Sequence, residues 1–185
     1  MDQVLDAAVE VFRERGYNAT SVADLRTAMG LTSGSLYKAF GDKRAIYMAA
    51  LDRYIDSRDE SITRQLSKAH TGREKVLAVL RSYAEVSHDE EGRRGCMVLS
   101  GLTDVDTFDA AVARRLHEAL AHVEQRFHDF ISMGIRDGSL PDRLDAQASA
   151  RYLLCVVEGL RALGKHGAQA SEIEAVVNRA MRALH

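Results

Sequence analysis

Between Ser21 and Lys43 the chain reads SVADLRTAMGLTSGSLYKAFGDK, and this stretch restricts the possible folds more than any other. Ser21 precedes an apolar-periodic run and Asp24 follows three residues later. That is capping-box spacing, in which each side chain satisfies the other's exposed backbone N–H. Val22, Leu25 and Met29 recur at three- and four-residue intervals, so the predicted helix buries one face. Gly30 then supplies the left-handed conformation a helix stop needs. Leu31 plugs the turn, and Thr32 is placed to cap a second helix from Ser33 to Phe40. In that helix Leu36, Ala39 and Phe40 are expected inside, which leaves Ser33, Gly34, Ser35, Tyr37 and Lys38 outside. Gly41 ends it and Asp42 caps the next. A helix showing small polar and aromatic residues, where a core helix would carry aliphatics, suits presentation to a DNA groove.

Lys43 falls in the first turn of the third helix of this run, where the helix N-terminus is already partly positive. The position costs a few tenths of a kcal/mol unless an anion is bound. An ammonium beside free N–H groups makes a phosphate site, and Tyr37 and Lys38 nearby favour that over a merely solvated lysine. Upstream, Val4, Leu5, Ala8, Val11 and Phe12 form an apolar stripe. Gly16 closes this first helix, with Arg13 and Arg15 in the last turn, where cations suit the dipole. Helices as short as the two after Ser21 are unstable alone in water, so the stripe is expected to pack under them as a three-helix unit.

The first-helix pattern ending in Phe12 and Gly16, the Ser21-Val22 opening, the Gly30 turn, GSLYKAF and the Lys43 behind a capping residue occur together. On these residues the stretch from Val4 to Leu51 resembles the DNA-binding domain of the TetR/AcrR family of bacterial transcription regulators. The resemblance implies that Thr32, Ser33, Gly34, Ser35, Tyr37 and Lys38 face DNA and that Lys43 meets the backbone. It further implies an all-α chain with a helix-turn-helix DNA-binding domain at 1–44 and a helical ligand-binding and dimerisation domain at 45–185. Function by resemblance is a repressor that binds a palindromic double-stranded operator as a homodimer and is released by a small-molecule effector. Arg26 and Met29 depart from the family, which often has small residues there, and Ser33 stands where a basic residue is frequent. With helix one starting almost at once, minor-groove contacts by a basic arm are not expected.

Beyond Ala45 the pattern stays helical. Segments are predicted at Ala45 to Ser67, Thr71 to His88, Cys96 to Leu102, Thr107 to Asp137, Asp145 to His166 and Ser171 to Leu184. DEEGRRG at 89–95 reads as a turn, and no strand pattern appears. The run YLLCVVEGL at 152–160 is apolar nearly all round and must be covered on two sides. One side can meet the chain's own core. The other is expected to meet a second subunit, with Ile173, Val176, Val177, Ala180, Met181 and Leu184 adding a further stripe. Homodimerisation is therefore expected through 145–166 and 171–184, with a two-fold pair of readers a helical turn (~34 Å) apart. Tyr54, Tyr83, Met97, Phe127, Phe130 and Tyr152 are candidates to line an effector pocket, though each is also an ordinary core residue.

The net charge of −2 is not that of a generic nucleic-acid binder. Arg13, Arg15, Arg26, Lys38, Lys43 and Arg44 balance Asp2, Asp6, Glu10, Glu14, Asp24 and Asp42, so nonspecific affinity is expected to be modest. No apolar run approaches the ~20 residues of a membrane span, and the polar start from Asp2 argues against a signal peptide. A cytoplasmic protein with reduced thiols at Cys96 and Cys155 is expected. Glu85 and His88 have the spacing of one arm of a di-iron bundle site, but such a site needs a second arm and two more glutamates. No metal, cofactor or catalytic constellation is expected. Two rivals remain: the same regulator triggered by oxidation or metal at Cys96, or a helical carrier or enzyme without DNA binding.

Overall fold

The computed structural model describes residues 2–185, and every regular element among them is helical. The helices are α1 (Asp2–Arg15), α2 (Val22–Met29), α3 (Ser33–Phe40), α4 (Lys43–Leu66), α5 (Gly72–Ala84), α6 (Asp89–Arg94), α7 (Met97–Thr103), α8 (Ala110–Asp137), α9 (Ala146–Lys165) and α10 (Ala170–Arg182). A 3-10 turn at Val105–Thr107 lies between α7 and α8. No helix among the described residues is long and apolar enough to cross a membrane.

Two compact units emerge, and chain order does not separate them. The first combines the chain up to Asp59 with Cys96–Leu116, and the second combines Glu60–Gly95 with His117–His185. Both α4 and α8 contribute residues to each unit.

In the first unit α1 buries Ala8, Val9 and Phe12, while Val4, Leu5 and Val11 of the expected stripe are half-buried. Around them lie Leu25, Met29, Leu36, Ile46, Leu51, Met97 and Val112. A ring cluster binds the unit together. Tyr47 lies 5.0 Å from Phe12 edge-on, 5.1 Å from Tyr17 and 4.9 Å from Phe108. Offset and edge-on pairs of this kind add about 1 kcal/mol each beyond area burial. Helix α7 approaches so closely that a Cβ on Gly101 would stand 2.6 Å from the Tyr47 hydroxyl oxygen. That hydroxyl is buried without a hydrogen-bond partner among the described residues, and burial pushes its pKa well up. Two ion pairs fix the start of α8 to α4, Arg44 with Asp109 and Arg115 with Asp52. Helix α8 begins at Ala110 rather than at Thr107, because Asp109 accepts from the N–H groups of Ala111 and Val112 and so sets the helix start.

The second unit is an aliphatic core. Val76, Val79 and Leu80 of α5 meet Leu153, Val157 and Leu160 of α9 and Ile173, Val177 and Met181 of α10, with Phe127 and Ile131 from α8. The α10 stripe expected to cover a second subunit is consumed here: Ile173, Val177, Ala180, Met181 and Leu184 are all buried and Val176 packs against them. An amphipathic helix with one stripe covers one surface. Helix α9 does leave a second face open, where Tyr152, Cys155, Gly159 and Leu163 are exposed.

The expected turn at 89–95 is instead the short helix α6. Its acids at Asp89, Glu90 and Glu91 and its basic Arg93 and Arg94 match the dipole at either end. It sits against α9 at van der Waals limits: a Cβ on Gly164 would be 2.6 Å from the Ser87 carbonyl oxygen, and one on Gly92 3.2 Å from the Gly164 Cα. Arg161 of α9, 1 % exposed, locks the contact by donating to the carbonyls of Val86 and Gly95.

Candidate nucleic-acid interface

The helix-turn-helix is built from caps. The Ser21 hydroxyl accepts from the Asp24 N–H at 3.1 Å, and Asp24 accepts from the Ser21 N–H at 2.9 Å and from its hydroxyl at 2.6 Å. Arg15 adds an ion pair to Asp24 at 2.9 Å. The Ser21 hydroxyl first, then its N–H and the Arg15 charge, hold the Asp24 carboxyl below its ordinary pKa. Gly30 is left-handed (φ 64°, ψ 27°), and its N–H returns to the carbonyls of Arg26 and Thr27. Thr32 then caps α3, accepting from the Ser35 N–H at 3.2 Å and donating to the Ser35 hydroxyl at 2.9 Å. Gly41 closes α3 at φ 84°, a region that favours glycine.

Inside this frame α3 touches its unit through little. Leu36 is fully buried and Phe40 half-buried, but Ala39, expected inside, is exposed. Eight residues make barely two turns, so one buried position and its neighbour exhaust the inward face. Thr32, Ser33, Gly34, Ser35 and Lys38 are exposed, and Tyr37 is 54 % exposed. The structure thus brings these six to one short helix and its cap.

Lys43 makes contacts within its own unit. Its ammonium donates to the carbonyls of Tyr17 and Thr20, both at 3.0 Å, and lies 4.1 Å from the Tyr17 ring centre. Two of its three protons are committed within the unit. The α1–α2 loop is prepared for this, since the buried Thr20 hydroxyl donates to the Gly16 carbonyl at 2.6 Å. Lys43 therefore clamps α4 to the loop that precedes the reader. Tyr17, Tyr47 and Phe108, which hold this clamp in place, escaped the sequence reading. The only local signal was an aromatic directly after the Gly16 stop.

The effector candidates are divided between the two units. Tyr54 and Met97 are buried in the first unit. Tyr83 and Phe127 are buried in the second, Phe130 packs against the same core, and Tyr152 is 40 % exposed on α9. An open cleft of about 270 Å³ in the second unit is lined by Arg81, Ala84, Glu85, His88, Ala170, Ile173 and Glu174, none of them an expected ligand residue. Cys96 is half-buried before α7 and Cys155 is exposed; both are free thiols.

Comparison with known proteins agrees with this architecture over the whole chain. A family model described as "Bacterial regulatory proteins, tetR family" matches residues 4–50, and one described as "Tetracyclin repressor-like, C-terminal domain" matches 72–184. The HTH-type transcriptional repressor ComR of Escherichia coli (strain K12) is 28% identical over 182 residues, spanning 98% of this chain and 87% of that protein. The repressor BdcR of the same organism is 27% identical, spanning 99% and 88%. Among solved structures, a cysteine-substituted form of the TetR family regulator CifR, complexed with 26-bp operator DNA, superposes with a TM-score of 0.88 at 31% identity, covering 100% of this chain and 96% of that one. The chain belongs to the TetR family of bacterial transcriptional regulators.

Proposed function

We propose that this chain is a repressor that binds a palindromic operator as a homodimer and releases it when a small molecule binds. The observation that carries the reading is the exposed face of α3, where Tyr37 and five small or basic residues stand outward around one buried leucine. Residues 1–44 serve as the DNA-binding domain and 45–185 as the ligand-binding and dimerisation domain. Thr32, Ser33, Gly34, Ser35, Tyr37 and Lys38 face the groove, and Lys43 offers its remaining proton to the backbone while it clamps the reader. The open stripe of α9, Tyr152, Cys155, Gly159 and Leu163, supplies the apolar surface for the second subunit, with α10 beside it. The protein acts in the cytoplasm and has no enzymatic role.

Tyr83, Phe127 and Phe130 are the side chains we assign to the effector, because all three belong to or pack on the core of the second unit. The effector acts only through tighter binding to the conformation whose paired readers do not fit the operator. Titration of the protein against DNA from its own upstream region tests the reading. Tyr37→Ala is expected to lower affinity at least tenfold with an unchanged melting temperature, since the ring is mostly exposed. Failure of the unaltered protein to bind any genomic fragment sequence-specifically would sink it. A second reading places the trigger at Cys96, which is half-buried at the start of α7, the helix that packs on Tyr47. Cys96→Ser would then keep DNA binding and lose the response to oxidant.

A further inference from the structure

The six cations of the reader are not equivalent once their partners are known. Arg13 is buried against Glu10 at 3.1 Å, and Arg15 pairs with Asp24 at 2.9 Å. Lys43 is held by two carbonyls, and Arg44 is paired with Asp109. Arg26 and Lys38 are the remaining two. Both are exposed, and within the described residues neither side chain has a hydrogen bond, ion pair or ring contact.

We propose that Arg26 is a DNA-backbone contact, the partner on α2 of Lys38 on α3. This rests on the DNA-binding reading above and adds to it a residue outside the recognition helix. In a helix-turn-helix the second helix lies in the major groove while the first crosses the sugar-phosphate backbone. Helix α2 is that first helix, and Arg26 lies on its exposed face four residues before the Gly30 turn. The root of the side chain is fixed, because the Arg26 carbonyl accepts from the N–H groups of Gly30 and Leu31. A guanidinium there is a planar donor fork suited to two phosphate oxygens. With Lys38 it is one of the two cationic side chains of the reader that no partner within the described residues engages. A cation in the last turn of a helix also suits the dipole, and that simpler role makes a different prediction.

The test is the salt dependence of binding to the upstream DNA fragment that the unaltered protein recognises. Each phosphate neutralised contributes about 0.9 to the slope of log K against log salt. Arg26→Gln, present in both subunits, is expected to reduce that slope by about 2. Between 50 and 200 mM salt the variant should therefore lose roughly tenfold less affinity than the parent. Arg26→Lys should restore most of the slope. Arg143→Gln, the same charge change in the second unit, should leave it unchanged. An unchanged slope for Arg26→Gln, with or without a lower melting temperature, would overturn the proposal and leave the dipole role. A slope equally reduced by Arg143→Gln would also overturn it, as a net-charge effect. If the unaltered protein binds no DNA fragment, the regulator reading itself falls and this one with it.

Discussion

Helices α3 and α10 are both held to the body of the chain, but by different means. Helix α10 buries Ile173, Val177, Ala180 and Met181 along thirteen residues, whereas α3 buries Leu36 alone in eight. The longer helix is fixed by apolar area, at about 25 cal/mol per Å² removed from water. The shorter one is fixed by a single plug, by caps at Thr32 and Gly41, and by its tethers to α2 and α4. A surface that must meet a polar partner cannot also be hydrophobic, so the reader depends on capping where the core helix depends on burial.

The largest effect should come from removing the plug. Leu36→Ala is expected to cost about 2–5 kcal/mol and to undock α3, abolishing DNA binding. Ile173→Ala costs a similar amount, yet α10 retains three further buried residues and should stay in place. Amide exchange decides it: equal protection of the two helices in the two variants would erase the contrast. Next comes Arg161→Met, which leaves the part-buried carbonyl of Val86 and the buried carbonyl of Gly95 without this donor. About 2–4 kcal/mol of stability should be lost in chemical denaturation, and the second unit is then held by more than apolar area. Thr32→Ala should cost about 1 kcal/mol, with faster exchange confined to the first turn of α3.

The smallest effect concerns Glu158 on α9. Burial raises its pKa, the charge of Arg161 opposes this, and its Oε2 is buried without a hydrogen-bond partner among the described residues. A carboxyl whose folded pKa is raised favours folding most fully below its ordinary value of 4.5, and that contribution fades as pH climbs through the raised value. Glu158→Gln is therefore expected to be slightly more stable than the parent at pH 7, with the advantage vanishing on acidification. Thermal melts across that range would show the opposite trend if the carboxylate were well paired.

Much of the reader was legible because its signals are local. The Ser21–Asp24 capping box, the Gly30 stop, the Thr32 cap and the exposure of Tyr37 each follow from a few neighbouring residues, and each appears in the structure. Spacing would turn Ala39 inward, yet it is exposed, because two turns of helix offer too few positions to define a face. Helix α6 was read as a turn because six residues with a central glycine carry no periodicity; the close approach of Gly92 to Ser87 and Gly164 sustains it.

The sequence by itself determined the helical class, the order of the helices other than α6 and the capped, outward-facing form of α3, because capping and amphipathic periodicity act over three or four residues. Tertiary structure decided what those residues do with their partners. Only it shows that 96–116 joins the first unit, that the α10 stripe is covered by its own chain, and that Lys43 clamps a loop while the Arg26 side chain has no partner among the described residues. Pairing of charges and covering of apolar faces depend on which distant residues meet, and neither is written in the spacing of near ones.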